Sequence, residues 1–226
     1  LHNGSMYSNS VTTGNWEGFI TKDLITYIDG HYRTLATRES RGLAGHSMGG
    51  YGTLRIGMKY PEYFAAIYAL SPCCLSARKA LPEDVLNRLK AVTTPEQSPS
   101  LRFWDRITLA SAAAWSPNPT KAPLYLDLPT GDPEADQALL ARWAANAPLA
   151  MIDQYVPNLK SFTAIAIDMG DKDGLITDSN AYHQALTAYG IAHSYEIYEG
   201  DHVNRLPDRI QNHVLPFFGK HLKFSE

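Results

Sequence analysis

Gly42-Leu-Ala-Gly-His-Ser-Met-Gly-Gly-Tyr-Gly-Thr-Leu54 is the stretch whose reading decides the fold. An apolar run from Leu43 leads into Gly45-His46-Ser47-Met48-Gly49, and a helix-compatible segment follows from Gly50 to Tyr60, stopped by Pro61. This is the Gly-x-Ser-x-Gly pattern of a nucleophile elbow, in which the serine sits on a sharp strand-to-helix turn. A serine held at positive φ leaves no room for Cβ atoms two positions to either side, so Gly45 and Gly49 are required to lack them. The helix behind the turn aims its unsatisfied N–H groups and positive dipole end at the reaction centre. The N–H of Met48 is accordingly the expected oxyanion donor. His46 reads as a packing residue rather than the base, because neighbouring side chains on such a turn diverge.

The rest of the chain supplies the context. Its 226 residues suit one domain, residues 1–226, carrying an insertion. With 44% hydrophobic and 19% charged residues it has the composition of an ordinary globular protein. A net charge of −3 and the lack of a basic stripe argue against a nucleic-acid partner. No apolar run is long enough for a membrane span. The only cysteines, Cys73 and Cys74, are neighbours; they read as reduced and buried, which leans towards a cytoplasmic protein.

Residues 1–14 read as loop. Asn15 is a plausible cap for a helix whose apolar face carries Trp16, Phe19, Ile20, Leu24, Tyr27 and Ile28. After the elbow helix, residues 64–70 read as a buried strand. From 75 to 160 strand patterning disappears, and Trp104, Trp115 and Trp143 lie in what reads as a helical and loop insertion, cap-like in character. Strands return at 162–169 and 193–198, separated by a helix around 179–189. A closing helix runs from Leu206 to Leu222, with Pro216 expected to kink it. Strands alternating with helices imply a mainly parallel α/β sheet.

A serine hydroxyl needs a base, and the base needs an orienting carboxylate. In this chain order the acid and base belong to the loops after the next strands, residues 170–178 and 199–205. Asp173 is preferred to Asp171 because it lies three residues past Gly170, where a turn can fold the carboxylate back over the sheet. Asp171 and Asp178 read as a solvated turn residue and a helix cap. His202 is the expected base, the one histidine in the loop 199–205 after the last strand, since His213 and His221 fall in the closing helix, and Asp201 beside it reads as a turn residue. His-Glu-x-x-His and cysteine/histidine ligand spacings are missing, so no metal and no cofactor is expected.

With Ser47, Asp173 and His202 placed, the chain resembles the esterase D family of α/β-hydrolases, most specifically over Gly45–Gly52 and also at Ser5–Ser10 ahead of the helix near Asn15. The resemblance implies an α/β-hydrolase fold and cleavage of a small-molecule ester through an acyl-enzyme. Ser47 would be the nucleophile, His202 the proton shuttle, Asp173 its orienting acid and Met48 N–H an oxyanion donor. Trp104 and Trp115 would line an apolar or aromatic acyl site, or else pack the insertion itself. An acyltransferase or thioesterase would use the same triad. Family members carry several further strands before the segment resembling residues 5–10, with a His-Gly loop that supplies the second oxyanion donor. Only residues 1–46 precede Ser47 here, so the chain reads as an N-terminally truncated or minimal hydrolase. An inactive assembly module is the non-catalytic alternative. A strand at Leu43 lacking a neighbour on one side should be covered by Leu1–Thr13, by a second copy or by a missing N-terminal segment; Leu1–Thr13 has few β-branched or large apolar residues, which favours a homo-oligomer.

Overall fold

The computed structural model describes residue 2, residues 4–77 and residues 80–225. The chain forms two compact units, one of Leu1–Leu24 with Ala77–Asn146, the other of Ile25–Ser76 with Ala147–Glu226. The boundaries at Ala77 and Asn146 fall inside the stretch 75–160 that the sequence sets apart. Residues 147–160 belong to the second unit, as the short helices Pro148–Met151 and Val156–Lys160.

The first unit opens with a hairpin, β1 (Asn9–Ser10) paired antiparallel to β2 (Gly14–Asn15), within a segment that reads as loop from the sequence. Asn15 caps the following helix as expected, its side chain accepting from the N–H of Gly18. The α-helices Glu83–Lys90, Phe103–Trp115 and Pro133–Ala144 follow, with a 3₁₀ turn at Pro95–Ser100. The alanine-rich middle of Phe103–Trp115 is buried from Ile107 onward, small side chains allowing close packing. Asp105, also buried, is held by the guanidinium groups of Arg88 and Arg102 at 2.7 and 3.0 Å.

The second unit carries the sheet. Its order is β3 (Gly42–His46), β4 (Ala66–Leu70), β5 (Ala164–Gly170), β6 (Ser194–Tyr198), with every neighbouring pair parallel. The central strands are buried on both faces, β4 along its whole length, whereas the outer strands are only partly covered. That is the burial expected of a parallel sheet with helices on its faces. The helix Met48–Lys59 returns from β3 and is buried without interruption from Gly50 to Met58.

The closing segment is irregular. A short helix, Leu206–Arg209, passes through a widened π turn at Ile210–Val214 into Leu215–His221. Pro216 sits at the start of this last piece and has no N–H to continue the regular ladder, which accounts for the irregularity. Arg209, which no sequence pattern singles out, fastens this segment to the sheet. Its buried guanidinium donates to Asp168 at 2.8 Å and to Glu196 at 2.6 Å, while the Tyr68 hydroxyl donates to Asp168 at 2.9 Å. Burial foremost, and the Asp168 carboxylate beside it, push the Tyr68 hydroxyl above its ordinary value and keep it a donor.

The helix ahead of the sheet departs from expectation. Its apolar face is present, but Phe19, Leu24, Tyr27 and Ile28 stay between 36% and 54% exposed, and Leu24–His31 buries no residue. Among the described residues no helix is long and apolar enough to cross a membrane.

Candidate active site

The elbow follows from local sterics. Ser47 joins β3 to the helix Met48–Lys59 with φ 58° and ψ −115°, a conformation that costs on the order of 1–3 kcal/mol. Two neighbours hold it there: its N–H donates to Leu70 O at 2.9 Å, and its carbonyl accepts from the N–H of Cys73 at 3.1 Å. A Cβ on Gly45 would lie 2.3 Å from the carbonyl carbon and oxygen of Gly49, so strand and helix approach this closely only without one. Met48 occupies the first helical position, where an N–H has no carbonyl one turn back to bond.

All four strands run parallel, so their C-terminal ends share one edge of the sheet, and the loops after β3, β5 and β6 meet there. The loop after β5 turns sharply, Asp173 N–H donating to Gly170 O at 3.1 Å, which is the three-residue turn expected from the glycine. Gly170 is itself pressed against Gly200 O, where a Cβ would stand at 2.4 Å. Cross-links lace the two loops together: Asp171 N–H to Tyr198 O at 2.8 Å, Lys172 N–H to Gly200 O at 2.9 Å, and Gly200 N–H to the Asp171 carboxylate at 2.9 Å. Asp171 is therefore more than a solvated turn residue, since its carboxylate pins the loop after β6. Asp178 is no helix cap either; it lies inside Ile176–Ala188 and accepts from the Ser76 hydroxyl at 2.7 Å. Asp201 does behave as a turn residue, accepting from the N–H groups of Val203 and Asn204, and those bonds hold its carboxyl below the usual range.

These loops bring Ser47, Asp173 and His202 into one hydrogen-bonded line. His202 Nδ1 lies 2.7 Å from Asp173 Oδ2, and His202 Nε2 lies 2.9 Å from Ser47 Oγ. A carboxylate only accepts, so Nδ1 carries the proton and Nε2 is left to accept from the serine hydroxyl. Asp173 is buried, and its second oxygen accepts from Leu175 N–H at 3.0 Å, which fixes the carboxylate plane. His202 is about one-third exposed to solvent.

His46, read as a packing residue, has a more specific place. Its Nε2 donates to the backbone carbonyl of His202 at 2.7 Å, and its ring tilts against that of His202 with centroids 4.7 Å apart. The sequence carries no local sign of this bond, because its partner lies 156 residues away. The tryptophans belong to the other unit. Trp115 is buried, donating from its indole N–H to Ser8 Oγ at 3.2 Å and meeting Trp143 edge-on, while Trp104 is 64% exposed beside Phe103. Among the described residues no three His, Cys, Asp or Glu side chains are grouped to hold a metal ion.

Residues 5–206 match the model of the Esterase family, described as "Putative esterase". The chain belongs to this family. Similar proteins include the esterase MT1326 of Mycobacterium tuberculosis, 41% identical over 64 residues that cover 26% of this chain and 14% of that protein. The S-formylglutathione hydrolase of Paracoccus denitrificans is 49% identical over 35 residues, 16% of this chain and 12% of the relative. Among solved structures, the S-formylglutathione hydrolase FrmB of Staphylococcus aureus superposes with a TM-score of 0.61 at 18% identity, covering 96% of this chain and 68% of that one. That likeness carries the fold, an α/β-hydrolase, and the resemblance read from residues 45–52 holds at the level of family. The chain matches only about one-seventh of the length of the M. tuberculosis relative.

Proposed function

We propose that this chain cleaves carboxylic esters through Ser47, His202 and Asp173. The observation that carries the reading is the Asp173–His202–Ser47 line at 2.7 and 2.9 Å, with the serine held at positive φ on the elbow. His202 takes the hydroxyl proton as Ser47 Oγ attacks the ester carbonyl. The negative charge on the tetrahedral oxygen is met by Met48 N–H at the start of the helix. His202, now protonated and held by Asp173, gives its proton to the departing alcohol, leaving an acyl group on Ser47. Water activated by the same imidazole then releases the acid.

The substrate class is a small-molecule ester with a short or aromatic acyl group. Membership of an esterase family supports ester chemistry, and the open flank of His202 supports a reactant that approaches from solvent. A thioester is the second reading. It draws on the S-formylglutathione hydrolase of P. denitrificans, whose matching stretch is 49% identical, and uses the same acyl-enzyme. Added alcohols or thiols that capture the acyl group in place of water would mark a transferase.

The test is Ser47→Ala against p-nitrophenyl acetate, together with labelling by a fluorophosphonate. Turnover should fall by about 10⁴-fold or more, the scale of losses when a triad member is removed, and labelling should vanish while the fold is kept. Wild-type turnover by the variant, or a native chain that leaves the phosphonate untouched, would refute the assignment.

A further inference from the structure

Cys73 and Cys74 follow β4 at the sheet edge that carries Ser47, and they are the only two cysteines in the chain. Their Sγ atoms stand 2.7 Å apart, well inside the ordinary van der Waals separation of two sulfurs, although no disulfide joins them. A disulfide bond is about 2.05 Å long, so roughly 0.7 Å separates this contact from a bond. Positive φ at Cys74, 59°, and at Ser71, 41°, marks the segment as strained backbone. Cys73 is buried and Cys74 is partly open to solvent.

The pair also touches the elbow. Cys73 N–H donates to the Ser47 carbonyl at 3.1 Å, alongside Tyr51 N–H at 3.0 Å, and Leu70, three residues before Cys73, accepts from the Ser47 N–H at 2.9 Å. One short segment, residues 70–73, thus grips the strained serine from both sides. On the opposite flank, a Cβ on Gly50 would come within 2.9 Å of Pro72, so this segment has little space in which to shift independently of the elbow helix.

We infer that Cys73 and Cys74 form a vicinal dithiol, oxidised by hydroperoxides to a disulfide, whose closure moves the backbone that holds Ser47 and lowers its reactivity. In the first step the Cys74 thiolate attacks the peroxide O–O bond, releasing one molecule of alcohol, or of water for hydrogen peroxide, and becoming a sulfenic acid. The Cys73 thiol then attacks that sulfur, the S–S bond forms, and water leaves. Two thiols lose two electrons and two protons, and the peroxide is reduced to alcohol and water. Adjacent Cα atoms are only about 3.8 Å apart, below the roughly 4.4–6.8 Å usual for bridged cysteines. The ring is therefore strained, and strained disulfides are the readily reduced, reversible ones. Closure must rotate the Cys73–Cys74 peptide, and a displacement of about 1 Å near a nucleophile costs on the order of 100-fold in rate.

The dithiol chemistry stands apart from the ester reading, while its effect on turnover rests on it, so the experiment reads the two separately. The native chain is treated with stoichiometric hydrogen peroxide, and alkylatable thiols are counted under denaturing conditions. The expected result is a fall from two thiols to none, a mass lower by about 2 Da, and recovery of both thiols with dithiothreitol. Over the same course, p-nitrophenyl acetate turnover should drop at least about tenfold and return with the thiols. Cys74→Ser should keep native turnover before treatment and resist peroxide. Two thiols surviving peroxide, or oxygen addition without the loss of 2 Da, would overturn the dithiol. A disulfide form with undiminished turnover, or equal inhibition of Cys74→Ser, would overturn the coupling to Ser47. A chain that forms the disulfide but never cleaves esters would instead count against Ser47 as an ester nucleophile.

Discussion

Gly45→Ala tests the steric account of the elbow directly. The added Cβ would lie 2.3 Å from both the carbonyl carbon and the oxygen of Gly49, and 2.8 Å from its Cα. Carbon atoms pack at about 3.5–4.0 Å, so β3 and the helix Met48–Lys59 must part by at least about 1 Å. Neither can yield cheaply, because the obstacle is backbone and the helix is buried along Gly50–Met58. Overpacking a core by a methyl group costs about 1–3 kcal/mol, and rigid atoms put this site at the upper end, about 3 kcal/mol. For a chain of this size each kcal/mol lowers Tm by about 2–4 °C, so thermal unfolding should fall by roughly 6–12 °C. Turnover should suffer more. The same 1 Å separates Ser47 Oγ from His202 Nε2, now at 2.9 Å, and misplacement on that scale costs about 100-fold. Gly30→Ala is the matched control. It lies in the helix Leu24–His31 with open space where its Cβ would be, so alanine should stabilise by about 0.5–1 kcal/mol and leave turnover alone. A Gly45→Ala protein with native Tm and native turnover would refute the close-approach argument.

Asp173→Asn should reduce turnover by about 10⁴-fold, the effect expected when the imidazole loses its orienting carboxylate. Asp171→Asn, which weakens the Gly200 clasp, should cost much less; the reverse order in p-nitrophenyl acetate assays would misassign the acid. His46→Ala removes the donor to the His202 carbonyl, worth about 0.5–1.5 kcal/mol, and should lower kcat by about three- to tenfold with little change in KM; His46→Gln, which can still donate, should recover part of it. An unaltered kcat in His46→Ala would show that the bond does not position the base. Among the described residues β3 has a strand neighbour on one side only, Ala44 on it is exposed, and Tyr27 and Ile28 are partly exposed, so the chain should self-associate at micromolar concentration. Light scattering on the native chain and on Ala44→Lys checks this, and a native monomer would count against edge pairing.

Short-range patterns in the sequence determined the elbow and the outline of the sheet. Gly45, Ser47 and Gly49 can be read without a partner, since the constraint they satisfy is a clash between residues four apart. The turn from Gly170 to Asp173 is equally local, a single bond between residues three apart. Apolar runs ending at Ser71-Pro72 and at Gly170 mark β4 and β5, because parallel strands buried on both faces need such runs, while the partly covered β6 shows only as an alternation. What no local pattern holds is the pairing between distant segments. That His202 meets both Ser47 and Asp173 depends on parallel strands delivering three loops to one edge, and the sequence anticipated it only through the chain order of nucleophile, acid and base. His46 on the His202 carbonyl, Asp171 on Gly200, and Arg209 on Asp168 and Glu196 leave no periodicity or spacing, because each joins segments between 13 and 156 residues apart. The helix carrying Tyr27 and Ile28 shows the limit from the other side. Its apolar spacing encodes a face, but whether anything covers that face is decided by tertiary structure alone, and here the described residues leave it open.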